Sequence, residues 1–265
     1  MRAVWVAILV LGVAGELFAD DSTTPRHLLL GVHAFKAGRY DEALVELRLV
    51  ARAPDAPADL AFYLGPTLYK LKRYEEAAVV FATSRAAPDA LTDFYRGETY
   101  YQLRLFRKAR QVFAGLRAHG LGPALDDAAE RYVAKIDATY RVAPSPGALD
   151  YYVAQGLELA ASDPVLAAEY LDEAHQVELL LAERYRHAEI VAALARAWNA
   201  SGRPRDVVAL LAGEKPLSPD ASWELARAYA AVGDAVHARP LLEAIVKARG
   251  AHQAEAAALL ARLAA

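Results

Sequence analysis

The chain has 265 residues, of which 55% are hydrophobic and 24% charged, and its formal net charge is −3. This apolar content is enough to build a core, so disorder is not the default expectation. The near-neutral charge argues against a nucleic-acid-binding protein, which would usually be clearly basic.

There is no cysteine, which excludes disulfides, thiolate metal sites, a catalytic thiol and a lipid-attachment cysteine. Strong helix formers dominate the composition, so we predict an all-α fold. The 23 arginines against 7 lysines indicate a GC-rich bacterial coding sequence.

The first residues have the layout of a secretory signal peptide. Arg2 precedes a 13-residue apolar run over Ala3–Gly15, and a polar stretch follows Ala19. The run is shorter than the ~20 residues that a membrane-spanning helix needs. We therefore predict a signal peptide over residues 1–19, cleaved after Ala19, and a periplasmic protein with no transmembrane segment beyond the leader. Leu17 is large for its place in the cleavage pattern, which leaves secretion or an uncleaved N-terminal anchor as alternatives.

A repeat with a period near 34 residues follows the leader. Each copy presents, in order, a glycine, an aromatic residue, an alanine, a large apolar residue and, in two copies, a proline. The first copies are Gly31, Tyr40, Ala43, Leu47 and Pro54; then Gly65, Tyr74, Ala77, Phe81 and Pro88; then Gly97, Phe106, Ala109 and Phe113. Near the C-terminus a related pattern relates Ala195, Trp198, Gly202, Val207 and Leu211 to Ala226, Tyr229, Gly233, Ala238 and Leu242.

One copy in the middle of the chain is blurred. Gly156 lies 12 residues before Ala168, as Gly31 lies 12 before Ala43. Ala167 and Leu171 nevertheless fit helical spacing better than a register based on Ala168. We therefore predict that this copy has slipped by one residue.

Each copy is predicted to be a hairpin of two helices. Gly38 suits a left-handed cap at the end of the first helix, and Pro54 and Pro88 end the second helices. The small residues are expected where the paired helices cross, because a larger side chain would push them apart. These repeat-packing residues are Gly31, Ala43, Gly65, Ala77, Gly97, Ala109, Ala195, Ala226 and Ala238.

The hairpins are predicted to form two blocks, each of three hairpins and a capping helix. The first block covers residues 24–141 and the second residues 149–265, with a linker over residues 142–148. The linker contains prolines and a glycine, which break regular structure. It is either a hinge or a tight turn in one continuous superhelix, and we favour the continuous superhelix. The segment 179–187 is expected either to extend the preceding helix or to begin the next one.

The recurring residues resemble the tetratricopeptide repeat family, whose unit is a 34-residue helix–turn–helix. The resemblance covers nearly everything after the leader; the departures are the shorter spacings, Val207 in place of a small residue and the slipped copy. It implies an α-solenoid of about six hairpins plus capping helices, whose concave wall holds partner peptides or helices. Carried over by position, the partner-groove residues are Phe35, Lys36, Phe62, Tyr69, Lys70, Phe94, Tyr101, Gln102, Arg196, Asn199, Trp223 and Arg227.

The groove residues of the first block mix aromatic rings, cations and an amide, which suits a peptide with apolar side chains and an acidic group. For Phe62 and Phe94, packing between neighbouring helices is as good an interpretation as a place in the groove. For Tyr69 and Tyr101 we favour the groove, because a tyrosine hydroxyl needs a polar outlet.

Catalytic and metal motifs are not found in the sequence. It contains no phosphate-binding glycine loop, no Gly-x-Ser-x-Gly elbow and no His-Glu-x-x-His. The seven histidines are dispersed, and no two have the i, i+4 spacing that places both on one metal. We therefore predict a non-enzyme without cofactor or metal, whose histidines lie at the surface or in interfaces.

Charges are sorted along the chain into two blocks of one sign. The stretch 99–125 has no acid, and the stretch 142–183 has no Lys or Arg. The basic block contains Arg104, Arg107, Lys108, Arg110 and Arg117; the acidic block contains Asp150, Glu158, Asp163, Glu169, Asp172, Glu173, Glu178 and Glu183. We favour two solvated outer faces, with steering of a charged partner or self-association of basic to acidic block as alternatives.

The leader and the repeat together predict a protein–protein interaction scaffold in the bacterial cell envelope. Such an adaptor would support assembly of a secretin, pilus, outer-membrane or motility complex. The alternative is a non-catalytic regulator of a cell-wall synthase or hydrolase. The sequence does not name the partner.

Overall fold

The computed structural model describes residues 23–84, 89–116, 122–140, 145–181 and 186–263. The predicted signal peptide over residues 1–19 lies outside these ranges. Within them, the chain forms α-helices and a short 3₁₀ turn, and no strand occurs in the part described. The helices are α1 (Thr23–Lys36), α2 (Tyr40–Ala51), α3 (Ala61–Lys70), α4 (Tyr74–Thr83), α5 (Ala90–Gln102), α6 (Phe106–Leu116), α7 (Pro123–Tyr140), α8 (Pro146–Leu159), α9 (Pro164–Leu180), α10 (His187–Ala200), α11 (Pro204–Leu211), α12 (Pro219–Ala231), α13 (Ala235–Ala248) and α14 (Gln253–Arg262).

Consecutive helices pair as hairpins: α1 with α2, α3 with α4, α5 with α6, α8 with α9, α10 with α11, and α12 with α13. Helices α7 and α14 pack on the third and last hairpins, as the predicted capping helices should. The predicted all-α solenoid of helical hairpins is confirmed. Among the described residues, no helix combines the length and the apolar character needed to cross a membrane.

The glycines of the repeat lie where the two helices of a hairpin touch. A Cβ added to Gly31 would lie 2.7 Å from Leu47 Cγ, and one added to Gly97 would lie 2.8 Å from Phe113 Cε1. Gly65 faces the ring of Phe81 in the same way. In these three hairpins the large residue lies 16 positions after the glycine. Its side chain fills the space next to the glycine, which has no side chain of its own. This contact explains why the two residues recur together.

The fourth hairpin has the shifted register predicted from the sequence. A Cβ added to Gly156 would lie 2.5 Å from Leu171 Cγ and 3.3 Å from the carbonyl oxygen of Ala167. Leu171 follows its glycine by one residue fewer than Leu47 follows Gly31. The slip of one residue is thus confirmed, and it leaves the contact between glycine and large residue intact.

In five of the six hairpins the turn between the paired helices contains one residue in the left-handed conformation. Gly38, Gly202 and Gly233 have φ of +74°, +75° and +82°, the left-handed conformation expected of a helix cap. At the equivalent position of the second and third hairpins the chain instead has Lys72 (φ +59°) and Arg104 (φ +63°). The sequence predicts the cap at Gly38 but gives no such signal at the two cationic residues.

The second block packs back onto the middle of the first. Helix α9 contacts α4, two hairpins earlier, and the hydroxyl of Tyr152 donates to the carbonyl oxygen of Arg104 at 2.8 Å. One apolar core contains Phe113 and Ile136 of the first block together with Leu149 and Tyr170 of the second. In a regular solenoid each hairpin contacts only its neighbours. The continuous superhelix favoured from the sequence is therefore wrong at this junction.

The described part of the predicted linker belongs to a helix. The Oγ of Ser145 accepts a hydrogen bond of 3.2 Å from the amide of Ala148, which caps α8. Asp163 caps α9 in the same way, accepting a hydrogen bond of 3.0 Å from the amide of Leu166. Residues 141–144 lie outside the described ranges.

Candidate protein-interaction surface

A row of aromatic rings crosses the first helices of the first block. We call it the aromatic strip; its members are Phe35, Tyr63, Tyr69, Tyr95, Tyr101 and Tyr132. The rings pair between successive helices of the strip. The ring centroids of Phe35 in α1 and Tyr63 in α3 lie 6.0 Å apart, and those of Tyr69 in α3 and Tyr95 in α5 lie 5.4 Å apart. The centroids of Tyr101 in α5 and Tyr132 in α7 lie 5.0 Å apart. The three predicted groove aromatics Phe35, Tyr69 and Tyr101 are half-buried within it.

The strip contains one carboxylate, which the sequence analysis did not single out. The hydroxyl of Tyr132 donates to Glu98 Oε1 at 3.0 Å. Burial, followed by this carboxylate, raises the pKa of Tyr69 above its usual range and that of Tyr132 to about 12. Both phenols therefore remain hydrogen-bond donors at neutral pH.

Cations flank the rings. The Nζ of Lys70 lies 5.1 Å from the ring centroid of Tyr95, and that of Lys135 lies 5.0 Å from Tyr101, both within cation–π range. Lys36, Lys70 and Gln102 are exposed at equivalent places in the three hairpins. Across the residues described, neither Lys36 nor Lys70 has a carboxylate within ion-pair distance.

The two phenylalanines with alternative predictions differ in exposure. Phe94 is only 7% exposed, and its ring centroid lies 5.5 Å from Phe113 and 6.3 Å from Tyr132. It therefore packs between helices, which is the alternative stated for it. Phe62 is half-buried.

The four groove residues predicted for the second block do come together, around a carboxylate that sequence reasoning missed. Glu224 is almost fully buried, and Asn199 Nδ2 donates to its Oε2 at 2.8 Å. Arg227 Nη1 donates to the same oxygen at 2.9 Å, and Arg196 Nε lies 3.6 Å from Oε1. Their polar atoms are thus bound within the chain.

Trp223 extends this second group towards the C-terminal helix. Its ring stacks on His252 with a centroid distance of 5.5 Å, and the guanidinium of Arg227 lies 5.7 Å from its centroid. His252 Nε2 lies 2.7 Å from Asp220 Oδ1. The group is a packed network rather than a row of free side chains.

The two charge blocks meet each other within one chain. Lys108 Nζ lies 3.0 Å from Glu169 Oε2 and 2.7 Å from Asp172 Oδ2, and Arg107 Nη2 donates to Asp172 Oδ2 at 2.7 Å. The backbone amide of Arg107 also donates to Glu173 Oε1 at 2.8 Å. The favoured interpretation as two solvated outer faces is wrong for these residues, because they pair across the junction between α6 and α9.

Two of the dispersed histidines are also brought together. The ring centroids of His175 and His187 lie 5.8 Å apart, beside Glu178, and His175 is buried rather than at the surface. Burial, followed by the neighbouring His187, lowers the pKa of His175. The available sequence signal was a carboxylate three residues after His175 on the same helix face, which a search limited to pairs of histidines passes over.

The hairpins with their glycine contacts define an α-solenoid of stacked helix–turn–helix units. No protein-family model matches the chain, and no curated protein matches it. Among solved structures, a TPR2AB domain of yeast Sti1 in a pHSP90 complex is 16% identical with a TM-score of 0.38, covering 93% of this chain and 100% of that one. The TPR domain of P58(IPK) is 14% identical with a TM-score of 0.37, and the match covers 91% of this chain and 66% of that one.

Proposed function

We propose that the protein is a non-catalytic scaffold that binds an extended acidic segment of a partner protein along the aromatic strip. The observation that carries this proposal is the repetition of an exposed lysine beside a half-buried ring, at Lys36 and Lys70, with no carboxylate paired to either among the described residues. A solvated lysine without a counter-charge favours a partner that supplies one.

The rings and the lysines would contribute differently to binding. Half-buried aromatic rings provide rigid apolar contact area at little cost in side-chain entropy. The lysines would pair with carboxylates and fix the direction and register of the bound segment. Because one ring and one polar residue recur in each of the first three hairpins, the partner segment should alternate apolar and acidic residues.

The first block is the better candidate for binding than the second. In the second block Arg196, Asn199 and Arg227 already direct their polar atoms to Glu224. A partner would have to displace these contacts, whereas Lys36 and Lys70 are available without rearrangement.

We place this activity in the bacterial cell envelope, in support of assembly of a secretin, pilus, outer-membrane or motility complex. The leader-like residues 1–19 support export to the periplasm. Fractionation of expressing cells should find the protein in the periplasm, with Asp20 as its first residue. Recovery of the unprocessed chain from the cytosol would contradict the location but would leave the binding surface to be tested separately.

The binding surface is tested with fluorescent extended peptides in which apolar residues alternate with Glu, compared with the same peptides carrying Lys in place of Glu. The purified mature protein should bind only the acidic set. The double variant Lys36→Glu, Lys70→Glu should bind at least tenfold more weakly, with an unchanged circular-dichroism spectrum.

The matched control is Lys247→Glu, which reverses an exposed lysine on α13, away from the strip. Its affinity should stay within about twofold of the natural protein, since distant exposed charges are largely screened. If both variants lost affinity equally, the loss would be an effect of net charge and not of the aromatic strip. Unchanged binding by the double variant would remove the aromatic strip as the binding surface.

A further inference from the structure

Four polar side chains converge where α9, α10 and the connection between α11 and α12 meet. His175 and Glu178 lie one turn apart on α9, and His187 is the first residue of α10. His187 Nδ1 lies 2.9 Å from Glu178 Oε2, and its Nε2 lies 3.4 Å from Oε2 of Glu214. One ligand atom from each of His175, Glu178 and His187 lies within 4.8 Å of the others.

Pairing within the protein does not satisfy this cluster. Glu178 is fully buried, and its Oε1 has no hydrogen-bond partner among the described residues. The same is true of Nδ1 of His175, which is 9% exposed. His187 uses both of its nitrogens on Glu178 Oε2 and Glu214, so it leaves the two buried atoms unsatisfied. Buried polar atoms without a partner are uncommon, and here two of them belong to the same cluster of potential metal ligands.

We propose that His175, Glu178 and His187 bind one divalent transition-metal ion, with solvent completing its coordination. A cation between α9 and α10 would accept electron pairs from both unsatisfied atoms, His175 Nδ1 and Glu178 Oε1. The convergence of two imidazoles with a buried carboxylate is the geometry on which the proposal rests.

The donor set favours Zn²⁺. Two imidazole nitrogens with carboxylate oxygens suit zinc and its neighbours, whereas Mg²⁺ and Ca²⁺ prefer ligands that are all oxygen. Tetrahedral Zn²⁺ with bonds of about 2.0–2.2 Å places its ligands about 3.3–3.6 Å apart. The observed upper limit of 4.8 Å therefore requires only a small inward movement of the side chains.

A bound ion would fasten α9 to the start of α10, adding to the packing that these two helices already have. It would tie the C-terminal half of α9 to the first residue of α10, while Glu214 keeps its contact with the opposite nitrogen of His187. The ion binds the folded arrangement of these ligands and not the unfolded chain, so it should raise the stability of the second block. The site is independent of the proposed peptide-binding surface, which lies in the first block.

The test starts from full-length mature protein stripped with a chelator and titrated with ZnCl₂ against a chromogenic zinc indicator. We expect one ion per chain with a dissociation constant of roughly micromolar or below. His175→Gln and His187→Gln should each weaken binding by about tenfold or more. The matched control is His252→Gln, which alters another half-buried histidine paired with a carboxylate, Asp220, and should leave zinc affinity unchanged.

X-ray absorption of the zinc-loaded natural protein gives a readout that does not depend on the folding of any variant. Two imidazole ligands with additional oxygen ligands would support the proposal. Failure to take up zinc would overturn it, as would stoichiometric binding that survives both substitutions or a spectrum with fewer than two imidazoles. A loss of stability in His187→Gln without zinc uptake by the natural protein would identify the cluster as an ion-pair network only.

Discussion

Lys108 of α6 and Asp172 of α9 form an ion pair across the junction of the two blocks, with Nζ 2.7 Å from Oδ2 and side chains only 16% and 20% exposed. The pair comes from two stretches of opposite sign that are far apart in the sequence. Glu169 also contacts the same ammonium, so one lysine holds two carboxylates of α9. Electrostatic attraction therefore adds to the shared apolar core in attaching the fourth hairpin to the first block.

Removal of this lysine charge should destabilise the protein substantially. Lys108→Gln leaves Glu169 and Asp172 without their ammonium in a mostly buried site, and we expect a loss of about 2–3 kcal/mol in the free energy of unfolding. Urea denaturation followed by circular dichroism measures it. The control Arg110→Gln removes a pair with Asp137 whose side chains are 46% and 37% exposed, and should cost no more than ~1 kcal/mol. Equal losses in the two variants would mean that Lys108 does not hold the junction together.

The junction should also respond to acid. Burial alone would raise the pKa of Asp172, but its pairs with Lys108 and Arg107 outweigh this effect and lower it below the ordinary 3.8. A carboxyl with a lowered folded pKa stabilises the protein above its unfolded pKa and loses that contribution as the pH falls through the folded value. As the pH falls below about 4, the natural protein should therefore lose stability more steeply than Asp172→Asn. Parallel curves of urea midpoint against pH for the two proteins would contradict this expectation.

The sequence was sufficient for the hairpins because their signals are local. Gly31 and Leu47 belong to one hairpin, and the contact between them is repeated along the chain, so a fixed spacing exposes it. The slipped copy could be predicted for the same reason, since Ala167 and Leu171 lie on one helix. Spacing along a helix determines which side chains share a face.

Contacts between distant segments could not be predicted in this way. The sequence gives the sign of Lys108 and Asp172 but not which helix faces meet, and the return of α9 onto α4 depends on packing of the whole chain. The cluster of His175 and His187 was missed because it needs a second helix to complete it. The left-handed turn at Lys72 was missed because any residue can occupy such a conformation when the flanking helices fix it.

The crossing at Gly65 should tolerate no larger residue. Gly65→Leu would place a branched side chain against the ring of Phe81, and we expect a loss of about 1–3 kcal/mol from overpacking. Hydrogen exchange should show that α5 and α6 loosen together with α3 and α4, because stability in stacked hairpins is shared between neighbours.

Gly115 provides the matched control for Gly65. It lies near the end of α6, and an added Cβ would meet no atom within 4 Å. Gly115→Ala should therefore stabilise the protein slightly, by up to about 0.5–1 kcal/mol, because alanine favours the helix over glycine. Destabilisation by this substitution, or none by Gly65→Leu, would contradict the assigned crossing.

The turn at Lys72 offers a test in the stabilising direction. Lys72 has φ +59°, where a Cβ costs ~1–2 kcal/mol, and the amide of the next residue, Arg73, donates to the carbonyl oxygen of Leu68 at 2.9 Å. Lys72→Gly removes the steric cost and keeps this bond, but glycine increases the entropy of the unfolded chain by an offsetting ~0.4–1 kcal/mol. We expect a net gain of about 0.5 kcal/mol in the free energy of unfolding. Lys72→Ala should give no gain in stability, because alanine still carries the Cβ. If both variants were stabilised, the cause would be the lost charge and not the backbone conformation.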